Sequence, residues 1–600
     1  MINDNKNFIL AIVLSMAIIF GWQFFFAGYF TKNAPQQPAV QQTTSQPAGQ
    51  VQQPNGQAQQ PAGMVLGGQH TDEVARATAI AASKRLRIDT PLLEGSINLA
   101  GGEFDDLHLK LYRETVDPTS PEIALLNPSG TPGAYFAEQG WVPAAGTGVR
   151  VPDANTVWTA PEGAVLSTSK PVTLTWDNGA GLIFTRTVSV NDDYLFTIKQ
   201  EVENRTNAPV TLYPYARIQR QGTPQVAGIY VLFEGLIGVL GGDLQEVHYK
   251  DLLGDKPSVK HESTGGWLGF TDKYWATALI PDQELKLAAT FQHVMQGGRD
   301  VYQTDYLAKD PVVVAPGGKV SYQDRLFAGA RVVQIINAIE EKYKIDRFDL
   351  MIDWGWFYFF TKPLFWLLEF IKGIVGNFGL AILIVTVIVK LLFFPLQNKS
   401  YESMSKMKKL QPEMEKIKQR HPDDRMKQQQ EMMELYKREK VSPLAGCLPI
   451  VIQIPVFFAL YKVIYVTIEL RHAPFFGWIQ DLSAPDPTTL FNLFGLIPWA
   501  PPHLLMIGAW PIIMGITMWM QMRLNPAPPD PVQAQLFNWM PLIFTFMLAS
   551  FPVGLVIYWA WNNLLSIAQQ SIIMKRQGVQ VDFLGNIRNS LPFLNRKSAG

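Results

Sequence analysis

The residue best placed for chemistry in this chain is Lys390, a single lysine inside an otherwise apolar run from Phe378 to Leu396. The nineteen residues of that run, at a helical rise of about 1.5 Å, nearly cross a hydrocarbon layer of about 30 Å. A lysine in such a layer costs roughly 2.5–3.5 kcal/mol on insertion-based scales. We therefore expect a partner, a water-filled cavity or a substrate to compensate this charge.

Two interpretations of Lys390 remain open at this stage. The residue lies six positions from the end of the run, about 9 Å at helical rise, so its stem could snorkel to the nearer surface. Against this, helical side chains lean toward the helix N-terminus, which points the other way. A hydrated cavity shared with Thr386, which lies four residues earlier on the same helix face, is the favoured interpretation.

Further polar residues in the apolar segments would line the same cavity, although polar packing between helices is the alternative for each. Because the central parts of the spans contain no acidic residue, a recess with one positive charge suits an acidic or polar peptide better than a proton or cation relay. The polar residues expected to line the cavity are Gln453, Gln521, Asn562, Asn563, Ser566 and Gln569.

The composition excludes several other kinds of chemistry. The single cysteine, Cys447, excludes intramolecular disulfides and multi-cysteine zinc sites. Eight scattered histidines without an HExxH pair argue against a metal enzyme, and we expect neither a metal nor a cofactor. The net charge of zero gives no argument for sequence-specific nucleic-acid binding.

Six apolar segments and the loops between them predict the arrangement in a membrane. Lysine and arginine number twelve in 397–440, one in 469–503, one in 523–535 and five in 575–600. This alternation follows the positive-inside rule, so both termini and 397–440 are expected in the cytoplasm and 31–377 outside. The fold class is a polytopic α-helical membrane protein with an external β domain, and the six spans are 8–30, 378–396, 445–466, 504–522, 536–551 and 553–574.

The N-terminal segments predict an anchor and a tether. We expect 1–33 to contain an uncleaved transmembrane anchor, because its apolar run is long for a signal peptide and its end lacks a small-x-small cleavage site; a cleaved signal peptide is the alternative. Residues 34–63 hold eleven Gln, five Pro and no charge. Such a segment buries no core and is expected to be a flexible linker.

Strand patterns dominate residues 64–345 and predict a large antiparallel β-sandwich. The clearest is a hairpin of 172–176 and 182–190 around Asn178-Gly179. The segment 346–376 follows, with apolar residues at helical spacing after Pro363. We interpret it as an amphipathic helix in the membrane interface, and an extension of the next transmembrane helix is the alternative.

The loop 397–440 predicts a basic helical hairpin of net charge +4. One methionine-rich stripe includes Leu410 and Ile417. The segment His421-Pro422-Asp423-Asp424 supplies a break and an N-cap, and a second helix is expected over 424–440. A solvated coiled coil that sets topology is one interpretation; a docking surface for nascent chains, ribosomes or anionic lipid is the other. Its candidate contact residues are Met404, Met407, Lys408, Lys409, Met414, Met432 and Met433.

Five segments of the chain together resemble the motifs of one known family. They are Lys362-Pro363-Leu364-Phe365-Trp366-Leu367-Leu368, Leu410-Gln411-Pro412, Ser442-Pro443-Leu444-Ala445-Gly446-Cys447-Leu448-Pro449, Gln453-Ile454-Pro455-Val456-Phe457 and Phe551-Pro552-Val553-Gly554-Leu555. In these segments the sequence resembles the YidC family of bacterial membrane protein insertases.

The resemblance implies an insertase core over 377–576 with five of the six spans, a periplasmic β-supersandwich similar to sugar mutarotases and a basic cytoplasmic tail over 577–600. It implies insertion of nascent inner-membrane proteins through a hydrophilic groove, alone or beside the Sec translocon, without enzymatic chemistry. Many members carry arginine at the position of Lys390. Tyr558 resembles one of a pair of substrate-contacting tyrosines, and Trp559 replaces the second.

The residues also bear on two further function classes. A transporter or channel would show paired intramembrane charges or inverted repeats with broken helices, and the sequence shows neither. A tethered carbohydrate enzyme would need placed carboxylates or another acid–base set, and a sequence does not reveal such spatial pairing.

Overall fold

The computed structural model describes residues 76–578, except for short gaps. The predicted anchor 1–33, the linker 34–63 and the tail beyond 578 lie outside the described residues, and so does Cys447. The gaps are 227–231, 255–256, 423, 442–447, 498, 500, 503–504 and 526–530.

The N-terminal half of the described chain is an all-β domain of two sheets, as predicted. Its described residues form nineteen strands, eleven in one sheet and eight in the other. The larger sheet has the order β13-β16-β17-β10-β5-β3-β2-β1-β6, with β4 on β3 and β18 on β10; the smaller has the order β12-β11-β14-β15-β19-β9-β8-β7. The strands are β1 Arg85–Asp89, β2 Leu93–Asn98, β3 Glu103–Arg113, β4 Glu122–Leu126, β5 Tyr135–Pro143, β6 Val165–Leu166, β7 Val172–Asp177, β8 Leu182–Val190, β9 Leu195–Asn204, β10 Val210–Gln221, β11 Gly235–Leu240, β12 Asp243–Val247, β13 Ser258–Thr264, β14 Trp267–Thr271, β15 Trp275–Ile280, β16 Lys286–Gln296, β17 Arg299–Ala308, β18 Val312–Val314 and β19 Lys319–Ala330.

The predicted hairpin is confirmed as β7 and β8. Val172 pairs with Val188 in an antiparallel register. The side-chain oxygen of Asn178 accepts hydrogen bonds from the amides of Ala180 and Leu182 at 2.8 and 3.0 Å. Gly179 takes a φ of +71°, which favours glycine. The Asn-Gly pair thus closes the turn, as its residue types indicated.

Buried and half-buried residues alternate along β8, and the buried ones contribute to the core between the sheets. One of these buried residues is charged. Arg186 is 2% exposed although neighbouring inward positions are apolar. Its guanidinium donates to the carbonyls of Gly102 and Gln139 at 2.9 and 2.5 Å and lies 4.7 Å from the Trp158 ring centroid. These partners satisfy much of a group that would otherwise be very costly to bury.

The C-terminal half is helical, and a bend replaces the predicted end of the Lys390 segment. Helix α4 ends at Leu392, not at 396, because α5 starts after Phe393 with Pro395 in its first turn. The axes of α4 and α5 differ by 70°. In chain order the helices are α1 Arg76–Ala81, α2 Val333–Tyr343, α3 Tyr358–Val375, α4 Phe378–Leu392, α5 Phe394–Lys409, α6 Gln411–Arg420, α7 Arg425–Arg438, α8 Leu448–Val466, α9 Ala509–Leu524, α10 Pro531–Leu548 and α11 Val553–Arg576.

A helix that crosses a membrane must be both long enough and apolar enough. Among the residues described, no helix taken singly meets both criteria, whereas the bent pair α4–α5 meets them together. The segment predicted as a 16-residue span from 536 forms α10, which begins five residues earlier. Its predicted boundary was therefore imprecise.

Helix α3 is separate from α4, so the alternative of one continuous helix was wrong. Gly376 ends α3 with a φ of +73°, and the side chain of Asn377 caps α4 by accepting from the amide of Leu380 at 3.0 Å. The face of α3 with Phe365 and Leu368 is buried. The opposite face exposes large apolar side chains, namely Phe359, Trp366, Phe370 and Ile374.

The β domain is joined to the helices by polar contacts at the C-terminal end of α8. Lys462 Nζ lies 2.7 Å from a carboxylate oxygen of Asp353. Glu469 Oε1 accepts from the amide of Val333, the first residue of α2, at 3.0 Å. Arg471 donates to the carbonyl of Arg113 in β3 at 2.5 Å. We call this set of contacts the domain junction.

The domain junction predicts a pH-dependent stability. Burial raises the pKa of Glu469 from 4.5 to about 7, and the hydrogen bond from Val333 offsets this only in part. The docked state therefore binds more protons than the opened state between these values, so docking is firmest below pH 4.5 and weakens up to about pH 7. Glu469→Gln, which keeps an acceptor for Val333, should remove this dependence.

Hydrogen-exchange protection factors at the start of α2, measured from pH 4.5 to 8, check the prediction. The exposed Glu341 in α2 provides the matched control Glu341→Gln, which should retain the wild-type slope. A Glu469→Gln protein with that same slope would contradict the assignment.

Candidate functional site

A polar ridge runs along one face of α11 and forms the centre of the helical bundle. Tyr558, Asn562, Ser566 and Gln570 follow one another at four-residue spacing, so they share a helix face. Each is at most 7% exposed. Because buried polar groups need partners, this ridge requires hydrogen bonds from the surrounding helices.

Lys390 faces this ridge. Its Nζ donates a hydrogen bond to Ser566 Oγ at 2.6 Å, and Ser566 Oγ donates to the carbonyl of Asn562 at 2.8 Å. Lys390 is the thirteenth residue of α4 and Ser566 the fourteenth of α11. The lysine therefore bonds to a residue of a neighbouring helix. This contact supports the interpretation of a charge that faces the bundle interior; that water fills the recess stays a prediction.

Three other residues predicted for the site, Thr386, Gln453 and Trp559, make different contacts from one another. Thr386 is buried but donates to the carbonyl of Ile382 in its own helix at 2.6 Å. Gln453 of α8 donates to the hydroxyl of Tyr558, which joins α8 to the ridge. Trp559 is half-buried, with ring centroids 4.8 Å from Phe457 and 5.5 Å from Phe544. It is thus part of the aromatic packing beside the ridge.

The remaining predicted residues are Gln521 on α9 and Asn563 and Gln569 on α11. Gln521 is half-buried on α9. Asn563 donates to Thr517 of α9 at 3.3 Å, which is packing between helices and was the alternative for this residue. Gln569 donates to Asn398 of α5 at 3.1 Å. The polar residues are therefore distributed over two sides of α11, and only part of the set meets at Lys390.

Several polar residues of this region were missed from the sequence. Gln570 donates to Asn525 at 3.1 Å, and its place in the four-residue spacing of α11 would have revealed it. Tyr401 lies in α5, which the sequence assigned to the cytoplasmic loop, and only the packing of α5 on α11 shows that it is buried. Within the described part of the chain, the buried polar atoms without a hydrogen-bond partner here are Gln397 Oε1, Tyr401 OH, Asn562 Oδ1, Gln570 Oε1 and Ser571 Oγ.

The methionines of the basic hairpin that were predicted to form a single stripe belong to two separate clusters. The helix breaks at Leu410, since Pro412 lies in the first turn of α6. Met404 packs with Tyr401 and with Ile573 of α11. Met414 belongs instead to a small core between α6 and α7 with Ile417, Leu435 and Tyr436, against which Met407 and Met432 pack.

The predicted docking residues therefore differ in accessibility. Met433 is 45% exposed, and Lys409 is exposed. Lys408 is half-buried and its Nζ lies 3.4 Å from the carbonyl of Leu524 at the end of α9. Asp424 caps α7 by accepting from the amide of Lys427 at 3.0 Å, so the predicted cap is confirmed. The exposed side chains leave a surface with basic and methionine character.

Comparison with known proteins bears on both halves of the chain. Residues 85–367 match the family described as YidC periplasmic domain, and residues 370–580 match the 60Kd inner membrane protein family. A galactose mutarotase related enzyme from Lactobacillus acidophilus has a TM-score of 0.29 and 8% identity, and the match covers 41% of this chain and 97% of that one. A similarity at that level supports no conclusion.

Full-length relatives decide the family. Membrane protein insertase YidC of Bradyrhizobium diazoefficiens is 56% identical over 98% of this chain and 99% of its own length. The proteins of the same name from Nitrobacter hamburgensis and Methylorubrum extorquens are 55% and 52% identical, over 98% and 100% of this chain and 98% and 99% of their own lengths. The chain therefore belongs to the YidC family of membrane protein insertases.

Proposed function

We propose that this inner-membrane protein inserts nascent membrane proteins by accepting a polar segment of its substrate beside Lys390 and the ridge of α11. The family and the names of its full-length relatives support insertion as the function, which involves no enzymatic reaction. The observation that carries the proposed mechanism is the contact of Lys390 with Ser566.

The electrostatics of this contact favour an acidic or polar guest. A serine hydroxyl satisfies one of the three ammonium donors but leaves the positive charge uncompensated. Among the residues described, no carboxylate lies within 4.0 Å of Lys390 Nζ. A substrate carboxylate or a row of peptide carbonyls would gain more from this charge in the bundle than in water, because the local dielectric constant is lower.

The outer faces of α4 and α8 offer a path for the apolar part of the substrate. Ile384, Ile388 and Leu391 on α4 are exposed, and so are Ile454 and Phe458 on α8. A hydrophobic segment that leaves water along these faces gains about 25 cal/mol for each Å² of apolar surface. Transfer of the apolar segment into lipid would thus drive insertion, and the groove would shorten the path of the polar segment.

The proposed topology has six membrane spans, both termini in the cytoplasm and residues 31–377 largely in the periplasm. Five spans would form the insertase core of 377–576, and 346–376 would lie in the interface. The alternation of basic and non-basic loops supports this arrangement. The match of 85–367 to a periplasmic domain family agrees with the side assigned to the β domain.

The partners we propose are nascent membrane proteins, the Sec translocon, the ribosome and anionic lipids. The exposed basic surface of α6 and α7 would contact ribosomes or anionic lipid, since 397–440 carries a net charge of +4. The Sec translocon follows from the family resemblance. The exposed Met433 supports contact with varied apolar segments, because thioethers adapt to different partners.

Lys390→Ala should impair insertion of a small single- or double-span substrate, while Lys390→Arg should retain it, because arginine keeps the charge. Protease protection of the substrate's external segment in inverted membrane vesicles measures this outcome. Lys170→Ala removes one exposed lysine of the β domain and serves as the matched control. If the Lys390→Ala protein inserted the substrate as well as the wild-type protein, the charge of Lys390 would have no role in insertion.

Ser566→Ala tests the hydrogen-bond partner of this charge. We expect a smaller loss of insertion than with Lys390→Ala, and little further loss when Ser566→Ala is added to Lys390→Ala, because the two side chains act together. Ser550→Ala, at an exposed serine near the end of α10, is the control. Independent, additive losses from the two substitutions would show that Ser566 acts apart from Lys390.

Crosslinking locates the substrate directly. A photoreactive amino acid at position 390 should crosslink to the polar external segment of a stalled nascent chain. Crosslinks confined to lipid or to neighbouring helices would contradict the proposed path even if insertion itself proceeds.

A further inference from the structure

The loop between α8 and α9 exposes a dense set of large apolar side chains. Leu496 is 82% exposed. Single exposed apolar residues are normal on a protein surface, but a contiguous group indicates an interaction site. The other exposed members are Leu490, Phe491, Leu493, Phe494, Ile497 and Trp499, and we call the seven together the outer apolar loop.

Hydrogen bonds anchor the described ends of this loop. The hydroxyl of Thr489 donates to the carbonyl of Leu505 at 2.9 Å, and the amide of Leu490 donates to the carbonyl of Ile507 at 3.0 Å. Asp486 accepts from the amide of Trp510 at the start of α9 at 2.9 Å. These bonds join the described residues before the loop to the described residues at its end.

The backbone at the tip is strained. Leu493 and Phe494 take φ values of +51° and +57°, which side chains other than glycine rarely adopt. Strain of this kind persists where the surroundings enforce it and is common at binding sites. Here it places consecutive apolar side chains outward instead of into the bundle.

The loop lies on the periplasmic side of the bundle. Ser483, shortly before it, receives a hydrogen bond from the hydroxyl of Tyr274 in the β domain at 3.1 Å. The next residue, Ala484, accepts from the amide of Val553 at the start of α11 at 2.8 Å. The β domain matches a periplasmic family, so these contacts assign the loop to the outer leaflet side.

An apolar groove continues from the loop between α9 and α10. Its volume is about 400 Å³. Leu490 and Phe491 of the loop form one end, and the groove contains one side-chain amide, that of Asn538. Most of the other lining side chains are apolar, including Ile512, Ile516, Trp519, Leu542 and Phe546.

The charge pattern selects lipid as the occupant. The sequence from 487 to 522 contains no Asp, Glu, Lys or Arg, whereas protein–protein interfaces have a polar rim. The exposed ring of Trp499 matches the aromatic belt of Trp and Tyr that proteins place at the membrane–water boundary, and Phe491 and Phe494 add exposed apolar rings. We propose that the outer apolar loop enters the outer leaflet and that the groove between α9 and α10 holds an acyl chain of a phospholipid.

Fluorescence quenching in vesicles tests the loop. Full-length protein carrying Cys447→Ser and Leu496→Cys is labelled with an environment-sensitive dye and reconstituted into phosphatidylcholine vesicles. Nitroxides on the lipid acyl chains should quench the dye strongly, and aqueous iodide should quench it several-fold less than at the control position Leu253→Cys, which is 50% exposed in the β domain.

Two outcomes would overturn the assignment of the loop. Iodide quenching equal to that at position 253 would place the loop in water. Protection from both quenchers would mean that protein, such as a second copy of the chain, covers it. Insertion activity of the labelled protein is measured in parallel, so failure of this proposal is distinguishable from failure of the insertion mechanism.

Lipid retention tests the groove. Leu542→Trp fills the groove, whereas Leu564→Trp adds the same ring at an exposed leucine of α11 that does not line it. After purification in mild detergent, phospholipid bound per protein should fall with the first variant and not with the second. Equal retention by both variants would show that the groove holds no lipid.

Discussion

A lysine held among apolar helices is the constraint on which the helical bundle depends. The ammonium of Lys390 needs a polar partner, and α11 supplies it through Ser566. Ser566 is in turn fixed by a hydrogen bond to its own helix. Since α11 also bonds to α8 through Tyr558 and to α9 through Asn563, its polar side chains connect it to three other helices.

The bundle therefore places a polar ridge among buried apolar side chains and leaves further apolar side chains exposed on its outer faces. A ridge that faces inward suits a lipid solvent, because lipid offers no hydrogen bonds and polar groups must find partners inside. In the described part of this bundle, several buried polar atoms of α5 and α11 nevertheless lack a hydrogen-bond partner. These atoms therefore have unused hydrogen-bonding capacity in the interior of the bundle.

In the β domain, a buried charge is stabilised by backbone carbonyls and an aromatic ring. Arg186 is held by two carbonyls and an aromatic ring within the sandwich, which makes it structural. At the domain junction, Lys462 meets Asp353 and Glu469 meets Val333, so the end of α8 is held directly by the segment that follows the last strand. The orientation of α8 is thus coupled to the external domain by charge-assisted contacts.

The sequence by itself determined the features that local patterns encode. It identified the β7–β8 hairpin, the lysine in an apolar run, the cap at Asp424 and the family, because alternation, turn residues and helical spacing act over a few positions. The predicted end of the Lys390 helix at 396 was wrong, because Pro395 lies in the first turn of the next helix. The buried residues Tyr401 and Gln570 were not predicted. Tertiary structure alone decided that Lys390 meets Ser566, 176 residues away, and that Met404 and Met414 belong to different cores. Those outcomes depend on which helices pack together, and no short-range pattern contains that information.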